Sequence, residues 1–269
     1  MNTLEQLVAL NLNYIVAGLM VLFYTLEQLF DNPVAVRSKT RHWGNNLLFQ
    51  LLFIVLNIYW SLWVVFCIEW MNSREIGLFY LVALPYWAKL ILGVVVFDFV
   101  TYWFHRLSHV VPFLWRFHRV HHSDTNMDAS TNFRSHPVEL FLWFGTGNIL
   151  TAGLFGIDLL TFGLYFLILT PMFFLEHANL RFPAWLDRTL GLVLTTPNLH
   201  KIHHDQDQRY TDSNYADLFI LWDRIFGTFT YKPADQVQPG LEEFDTEARQ
   251  RFWFLLKSPF LSIRRKERS

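Results

Sequence analysis

The sequence predicts an all-α integral membrane bundle of about four to five spans. Hydrophobic residues make up 52% of the 269 residues and charged residues only 17%, whereas a soluble domain carries about 25% charged residues. The apolar residues fall into five runs, each close to the ~20 residues that a helix needs to cross a bilayer. Most histidines lie where these runs end or in the polar segments between them. These observations favour a membrane-embedded helical protein over a soluble one.

The five predicted spans are residues 4–30, 43–70, 76–104, 138–155 and 159–175. The start of the chain carries Glu5 and no basic residue, which predicts a retained helix rather than a cleaved signal peptide. In the third run, Pro85 predicts a short lead-in before the main span, because proline interrupts a helix. Only residues 156–158 link the fourth and fifth runs, which predicts a tight hairpin. The sequence leaves open whether this hairpin crosses the bilayer fully.

Basic residues are concentrated on one side of the five-span arrangement. Arg74 and Lys89 are the exceptions among the 22 Lys and Arg residues, and all the others lie in residues 31–42, in residues 105–136 or after residue 177. Cytoplasmic loops carry an excess of Lys and Arg. We therefore expect an outside N-terminus and a functional end on the cytoplasmic face of a bacterial inner membrane or the endoplasmic reticulum.

Nine of the eleven histidines occur in a pattern that predicts a site for two metal ions. Residues three or four apart share a helical face, and neutral imidazole is a good ligand for iron, zinc and copper. One tetrahedral ion uses about four ligands, so nine imidazoles are too many for one ion. The candidate ligands are His105, His109, His118, His121, His122, His177, His200, His203 and His204.

Four further polar residues are candidates for an extra ligand or for support of the ligands. His136 either joins the site or caps a helix. Asp98 lies seven residues before His105, where its carboxylate could hold an imidazole N–H or form a structural bond within its own helix. Asn198 and Asp205 flank the third histidine cluster. The single cysteine, Cys67, excludes a disulfide framework and a cysteine-rich zinc site.

The histidine clusters "HRLSH" (105–109), "HRVHH" (118–122) and "HKIHH" (200–204) resemble the three histidine boxes of the fatty acid hydroxylase superfamily. This superfamily includes sterol desaturases, sterol methyl oxidases and alkylglycerol monooxygenase. The flanks "DFVTYWFHRLSH", "RSHPVE", "EHANL" and "LWDRIFGTF" are also similar to those of the family. The resemblance covers residues 98–229, about half of the chain, and it is specific because all the motifs occur in order.

The resemblance implies a helical membrane bundle under a cytoplasmic helical cap that holds a di-iron site. The nine candidate ligands match the family's ligand positions one by one. The chain would form a single unit, with N-terminal spans (1–97), a catalytic region (98–232) and an interfacial tail (233–269). In the tail, residues 247–260 mix basic and aromatic residues, which predicts a helix that lies in the membrane interface; the alternative is a disordered tail. Arg264, Arg265 and Lys266 could contact anionic headgroups.

The activity implied is oxidation of a lipid or sterol C–H bond by O2, with two electrons from a separate donor of the cytochrome b5, ferredoxin or reductase type. Zinc could replace iron in purified protein, because it binds the same ligands more tightly. Hydroxylation and desaturation remain open, as does the lipid. A non-catalytic metal-binding protein and a metal transporter are the alternatives, although transporter ligands lie near the bilayer midplane. No feature indicates a nucleic-acid partner.

The electron donor is expected to be another protein. The chain has no G-x-G-x-x-G fingerprint of a dinucleotide-binding domain and no cysteine cluster for an iron–sulfur centre. Basic residues beside the histidine boxes predict a landing patch for an acidic partner, although they could instead face lipid phosphates. The predicted patch consists of Arg116, Arg119, Lys201 and Arg209.

Overall fold

The protein is described by a computed structural model that covers residues 6, 12–30, 34 and 38–263. Within these residues it is all-helical and forms no strand. The α-helices are α1 (Leu12–Leu29), α2 (Lys39–Asn72), α3 (Leu78–Leu81), α4 (Tyr86–Val110), α5 (Pro112–His122), α6 (Pro137–Leu140), α7 (Asn148–Phe155), α8 (Leu159–His177), α9 (Ala184–Thr189), α10 (Pro197–His203), α11 (Gln208–Thr211), α12 (Leu221–Ile225) and α13 (Phe252–Lys257). A π-helical segment, Phe141–Gly147, joins α6 to α7. Short 3-10 helices cover Ala129–Phe133, Leu190–Leu192, Ala234–Gln236, Glu242–Phe244 and Ser258–Phe260.

In the part of the chain that the structure describes, five helical segments are long and apolar enough to cross a membrane. They are α1, α2, α4, the continuous segment Pro137–Phe155 and α8. The prediction of an all-α integral membrane bundle is therefore confirmed. The predicted start of the first span, before Leu12, lies mostly outside the described residues.

The third span differs from its predicted bounds. Residues 76–104 were expected to span, but α3 ends at Leu81 and α4 runs on to Val110. Pro85 lies at the N-cap of α4 in extended backbone, so the predicted break at this proline is confirmed. The physical reason is that proline fixes its own backbone and disfavours helix in the preceding residue. The longer C-terminal end carries two histidines, His105 and His109, out of the apolar run.

The spans are held together by close aromatic packing. The rings of Phe97 on α4 and Tyr165 on α8 stack with centroids 5.2 Å apart, and the Tyr165 hydroxyl lies 2.9 Å from Thr101 Oγ1. Ile68 of α2 and Leu169 of α8 are buried in the same cluster. In lipid, helices associate through such packing and interhelical hydrogen bonds rather than through the hydrophobic effect.

The hairpin between α7 and α8 forms at the predicted link. Gly156 ends α7 with a φ of 71°, and the Asp158 carboxylate accepts a 2.8 Å hydrogen bond from Thr161 N at the start of α8. Gly77, with a φ of 124°, packs directly on this turn. A Cβ atom at Gly77 would lie 2.0 Å from Gly156 N. Two glycines therefore allow the α2–α3 link and the α7–α8 turn to touch.

The histidine-bearing end of the bundle is built from buried polar contacts. The Glu27 carboxylate accepts hydrogen bonds from Ala129 N and Asn179 N, both 2.8 Å. Arg134 is fully buried and donates to Asn46 Oδ1 at 2.8 Å. These bonds fasten α1 and α2 to the polar segments that follow α5 and α8. Buried charges are tolerated there because each is hydrogen-bonded.

The loop before α12 is fixed by one carboxylate. Asp223 accepts hydrogen bonds from Tyr215 N and Ala216 N at 2.9 Å and from Thr228 Oγ1 at 2.6 Å. Gly227 has a φ of 70°, which allows the tight turn expected there. Asp223 therefore holds the loop whose carbonyl groups reach the histidines.

The C-terminal segment packs on the body of the protein. The predicted helix at 247–260 is reduced to α13 and the 3-10 helix that follows. Phe252 and Leu255 are buried with Phe49 of α2, whereas Trp253 is exposed. Arg264, Arg265 and Lys266 lie outside the described residues.

The glycine contact gives a first test of the fold. We expect Gly77→Ala to destabilise the protein by about 3 kcal/mol, because the new methyl group overlaps Gly156 and the backbone favours only glycine. Thermal unfolding in detergent, followed by tryptophan fluorescence, measures the loss. Gly44→Ala is the matched control, since nothing lies within 4 Å of its Cβ position; it should leave stability unchanged or raise it. An unchanged melting temperature for Gly77→Ala would contradict the packing of these turns.

Candidate metal centre

The nine clustered histidines form two groups, each able to hold a metal ion. In each group, one candidate ligand atom per residue lies within 4.8 Å of all the others. The first group is His105, His109, His118, His122 and His203, and the second is His121, His177, His200 and His204. The histidines come from α4, α5, α8 and the end of α10. The rings of His122 and His204 stack with centroids 4.5 Å apart, so the two groups are direct neighbours.

Backbone carbonyl groups fix the proton positions of three rings. His105 Nδ1 lies 2.6 Å from Tyr215 O, His203 Nδ1 lies 2.7 Å from Ser213 O, and His177 Nδ1 lies 2.7 Å from Phe173 O. A carbonyl oxygen only accepts hydrogen bonds, so each Nδ1 carries the proton. In a neutral ring, Nε2 is then left with a bare lone pair.

The bare nitrogens face one another. In the first group, His105 Nε2 lies 3.1 Å from His118 Nε2 and 3.0 Å from His203 Nε2. In the second, His177 Nε2 lies 3.1 Å from the Nε2 atoms of both His121 and His200. His105 and His203 have no proton to share between their Nε2 atoms, so their lone pairs repel unless a cation lies between them.

The spacing matches metal coordination. Imidazole nitrogens bind zinc at about 2.0–2.1 Å, so two ligands of one tetrahedral ion lie about 3.3 Å apart. The closest Nε2 pairs in the two groups are separated by 3.0–3.3 Å. The histidine groups therefore fit a pair of metal ions in both donor type and geometry.

Burial keeps the imidazoles neutral, as metal binding requires. Burial, together with the neighbouring histidines, holds the pKa well below its usual value for His121, His122, His200, His203 and His204. The pKa of His118 is also lowered by burial, although the nearby Glu139 carboxylate opposes the shift. These rings stay unprotonated near neutral pH.

Four carboxylates surround the histidines, and none of them was singled out from the sequence. Glu139 Oε1 accepts a hydrogen bond from His118 Nδ1, and Asp212 Oδ1 lies 3.2 Å from His109 Nδ1. Asp217 approaches His105 Nδ1 at 3.5 Å. Glu176 lies 3.6 Å from His177 Nδ1 and 3.7 Å from His200 Nδ1. Glu139 follows His136 in "RSHPVE" and Glu176 precedes His177. Their positions in these motifs were the only sequence signal that the two carboxylates lie near the histidine groups. Partners of this kind orient metal-binding rings.

The side chains of the four additional candidates form hydrogen bonds with residues other than the nine histidines. His136 caps α6 by accepting from Val138 N, and its Nε2 lies 3.1 Å from Leu256 O. Its capping role was one of the two expectations. Asp98 was expected to hold an imidazole or a neighbour in its own helix; instead it accepts from Trp222 Nε1 at 2.7 Å. The reason is that α12 packs against this part of α4, which spacing alone does not reveal.

Asn198 and Asp205 also bind other partners than histidines. The Asn198 amide donates to Asp187 at 2.7 Å, which ties α10 to α9. Asp205 accepts from Lys232 Nζ at 2.6 Å and from Gln238 N at 3.2 Å. Both residues stabilise the segments around the third histidine cluster.

The predicted basic landing patch is wrong in two of its four members. Lys201 is fully buried and donates to Ala178 O and Leu180 O, both 2.8 Å, and burial lowers its pKa to about 7. Arg119 is buried and donates to Ser258 O at 2.6 Å. Because their positive groups are occupied inside the protein, neither can meet a partner. Arg116 and Arg209 remain exposed, and Arg209 is paired with Asp207.

A cavity of about 420 Å³ leads through the bundle to the histidines. Its walls come from α1, α2, α4, the segment Pro137–Phe155 and α8, and include large apolar side chains such as Phe53, Phe104, Trp143 and Phe166. The histidines that line it are His105, His118, His121, His177 and His200. Both groups are therefore accessible from an apolar space within the membrane-spanning region.

Comparison with known proteins places the same region of the chain in a family. The family model described as fatty acid hydroxylase matches residues 90–228. Human alkylglycerol monooxygenase is 33% identical over a region that covers 53% of this chain and 30% of that protein. The chain therefore spans about a third of the length of this relative. No solved structure matches the chain.

Two further relatives carry different names. Ornithine lipid hydroxylase OlsE of Rhizobium tropici is 30% identical over a region that covers 66% of this chain and 52% of that protein. Very-long-chain aldehyde decarbonylase GL1-11 of Oryza sativa subsp. indica is 26% identical over 80% of both chains. The shared region thus occurs in proteins named for different lipid reactions.

The two groups make separate predictions for metal content. Elemental analysis of protein expressed with added iron should give about two metal ions per chain, as the number of ligands implies. The double variant His118→Ala/His122→Ala in the five-histidine group and the single variant His177→Ala in the four-histidine group should each reduce this to about one, because only three imidazoles then remain in the altered group. His136→Ala is the control, since that ring lies in neither group, and it should retain both ions. Fewer than one ion in the unmodified protein, or two in both ligand variants, would contradict the two-group site.

Proposed function

Because the chain belongs to the fatty acid hydroxylase family, we propose that it is a membrane-bound di-iron oxygenase that hydroxylates a lipid C–H bond. The oxidant would be O2, with two electrons supplied from outside the chain. Hydroxylation is favoured over desaturation because the relatives that match with higher identity are named as monooxygenases and hydroxylases.

One observation carries this proposal: the apolar cavity ends at both histidine groups. Ligand sites in proteins are concave, mostly apolar and equipped with a few converging polar groups. The walls suit a hydrocarbon chain, and the histidine end would hold the carbon to be oxidised close to both groups. A metal store or transporter has no need for such an apolar space beside its ligands.

Each histidine group would hold one iron ion through its imidazole nitrogens. The bound ions would supply the activation of O2 that no side chain can provide. Zinc binds the same nitrogens and is expected as a substitute in purified protein. The nine histidines are thus proposed ligands, and the carboxylates around them are proposed positioning residues.

The chain's own residues orient the rings and exclude water. The carbonyl groups of Tyr215 and Ser213 and the Glu139 carboxylate hold Nδ1 protons in place, so that the Nε2 atoms keep facing the metal positions. Such partners raise the basicity of the ligand and fix its direction. Apolar walls keep bulk water from the reacting carbon, which limits side reactions.

The electron donor would approach the histidine-bearing end from the cytoplasm. The Asp212 side chain is 35% exposed and its carboxylate lies 3.2 Å from His109 Nδ1, so the first group comes close to the surface there. Exposed Arg116, on α5, would help to steer an acidic donor. The family relationship and the distribution of Lys and Arg support this orientation.

Untargeted lipid analysis of cells tests the activity. Cells that express the protein should accumulate lipids heavier by one oxygen atom, and cells that express His121→Ala should not. The control is His136→Ala, which should retain the product because that ring contacts neither group. No difference between the protein and His121→Ala, with both present at equal amounts and iron bound to the former, would contradict the oxygenase.

The same product measured in detergent tests the electron requirement. Purified protein with lipid and O2 should form no more than one product per chain until an electron donor is added. Arg116→Glu should slow the rate driven by a protein donor but leave the rate with a chemical reductant unchanged. Many turnovers without any donor would contradict the requirement, and equal slowing of both rates would contradict the role of Arg116.

A further inference from the structure

The cavity wall formed by α2 contains amide side chains that have no partner. Gln50, Phe53, Asn57 and Ser61 recur every three or four residues and line the cavity along one face of the helix. Gln50 is 92% buried, since only 8% of it is exposed. Among the residues that the structure describes, none forms a hydrogen bond with the amide of Gln50 or Asn57. Polar side chains in a membrane-spanning helix are costly unless they bind something.

Gln50 lies at the histidine end of the cavity. It follows Asn46 by one helical turn, and the Asn46 amide contacts Ser130 at 2.9 Å and accepts from Arg134 at 2.8 Å. Those residues belong to the polar segment that follows α5 and its histidines. Asn57 lies two turns further along α2, about 10 Å away at 1.5 Å per residue. The amide of Gln50 is therefore close to where a bound lipid would react.

The charged side chains that line the cavity among the described residues are all acidic. Glu139, Glu176 and Asp217 line it, whereas no Lys or Arg does so among the described residues. Both oxygens of Glu176 are buried without a hydrogen-bond partner. A carboxylate or phosphate beside Gln50 would lose its hydration without gaining a cationic side chain, and the metal ions proposed at the histidines would draw it away from this amide. An uncharged polar group would gain a hydrogen bond from Gln50 instead.

We propose that the Gln50 amide binds an uncharged polar group of the lipid, so that the substrate carries an amide, ester, ether or hydroxyl group at this point of the cavity. This inference rests on the proposed lipid oxidation, and it makes Gln50 a specificity-determining residue. An amide both donates and accepts hydrogen bonds, so Gln50 could serve any of these groups. Asn57 would offer a second contact deeper in the bundle.

Direct binding to the zinc-loaded full chain in nanodiscs tests this without turnover. The probes are hexadecanamide and hexadecanesulfonate, which share one chain length and differ in the charge of the polar group. Hexadecanamide should bind beside Gln50, whereas the zinc ions, and not Gln50, should attract the sulfonate. Gln50→Leu should raise the Kd of hexadecanamide about three- to ten-fold, the effect of one hydrogen bond, and leave that of hexadecanesulfonate unchanged. Gln50→Lys should strengthen binding of hexadecanesulfonate.

The controls separate this inference from the proposed activity. Leu51→Ala changes a neighbouring side chain that is half exposed on the outer face of α2, and it should alter neither Kd. Zinc content of two per chain in each variant shows that the fold is retained. Equal Kd values for hexadecanamide in Gln50→Leu and unmodified protein, or a Kd of hexadecanesulfonate that rises by the same factor in Gln50→Leu, would overturn the inference. Selective amide binding by a protein that oxidises no lipid would support this binding site while refuting the oxygenase.

Discussion

The rest of the structure depends on one constraint: the Nε2 atoms of buried imidazoles face one another with bare lone pairs. Carbonyl groups hold the Nδ1 protons of His105, His177 and His203. The bare Nε2 atoms of His105 and His203 therefore lie only 3.0 Å apart, and the bare Nε2 of His177 lies 3.1 Å from His200 Nε2 in the second group. Without positive charge between them, such an arrangement is repulsive in a space that water does not screen. With metal ions present, the same arrangement becomes a source of stability, because the energy of metal binding is coupled to folding.

Four helices of the bundle, α4, α5, α8 and α10, bring the histidines together. Packing of Phe97 against Tyr165 aligns α4 with α8, and both helices end in histidines just beyond their apolar parts. Asp223 fixes the loop that supplies the carbonyl of Tyr215, and buried Lys201 ties α10 to the residues after His177. Polar contacts at one end of an apolar bundle therefore determine where the rings point. The cavity between the same helices gives a lipid chain access to them.

The sequence was sufficient to predict the number of apolar spans and the clustering of the histidines. Apolar run length predicted the five spans, Pro85 predicted the break before α4, and helical spacing predicted which histidines share a face. These features are local, and local periodicity is what a sequence displays directly. The grouping of His121 with His177, rather than with its own neighbours His118 and His122, depends on how α5 meets α8 and could not be read from spacing.

Other features escaped prediction for the same reason. Charge alone suggested that Lys201 and Arg119 were exposed, yet tertiary contacts bury both. The Asp98 carboxylate accepts a hydrogen bond from Trp222, which lies 124 positions later in the chain. Glu139 and Glu176 were visible in quoted motifs, but a carboxylate near histidines in sequence is common, and only the fold shows which ones reach an imidazole. The π-helical segment that widens the cavity wall also left no mark in the hydrophobic pattern.

X-ray absorption spectroscopy of the iron-loaded protein tests the central claim most directly. If both histidine groups bind metal, the absorbing ions should be surrounded mainly by nitrogen from imidazole, at distances slightly above 2 Å, and the outer-shell scattering should show several imidazole rings per ion. At equal protein concentration, the iron absorption edge should lose about half of its height in a variant that lacks one histidine group. A shell dominated by carboxylate oxygen, or iron surrounded by water with no imidazole scattering, would contradict the account.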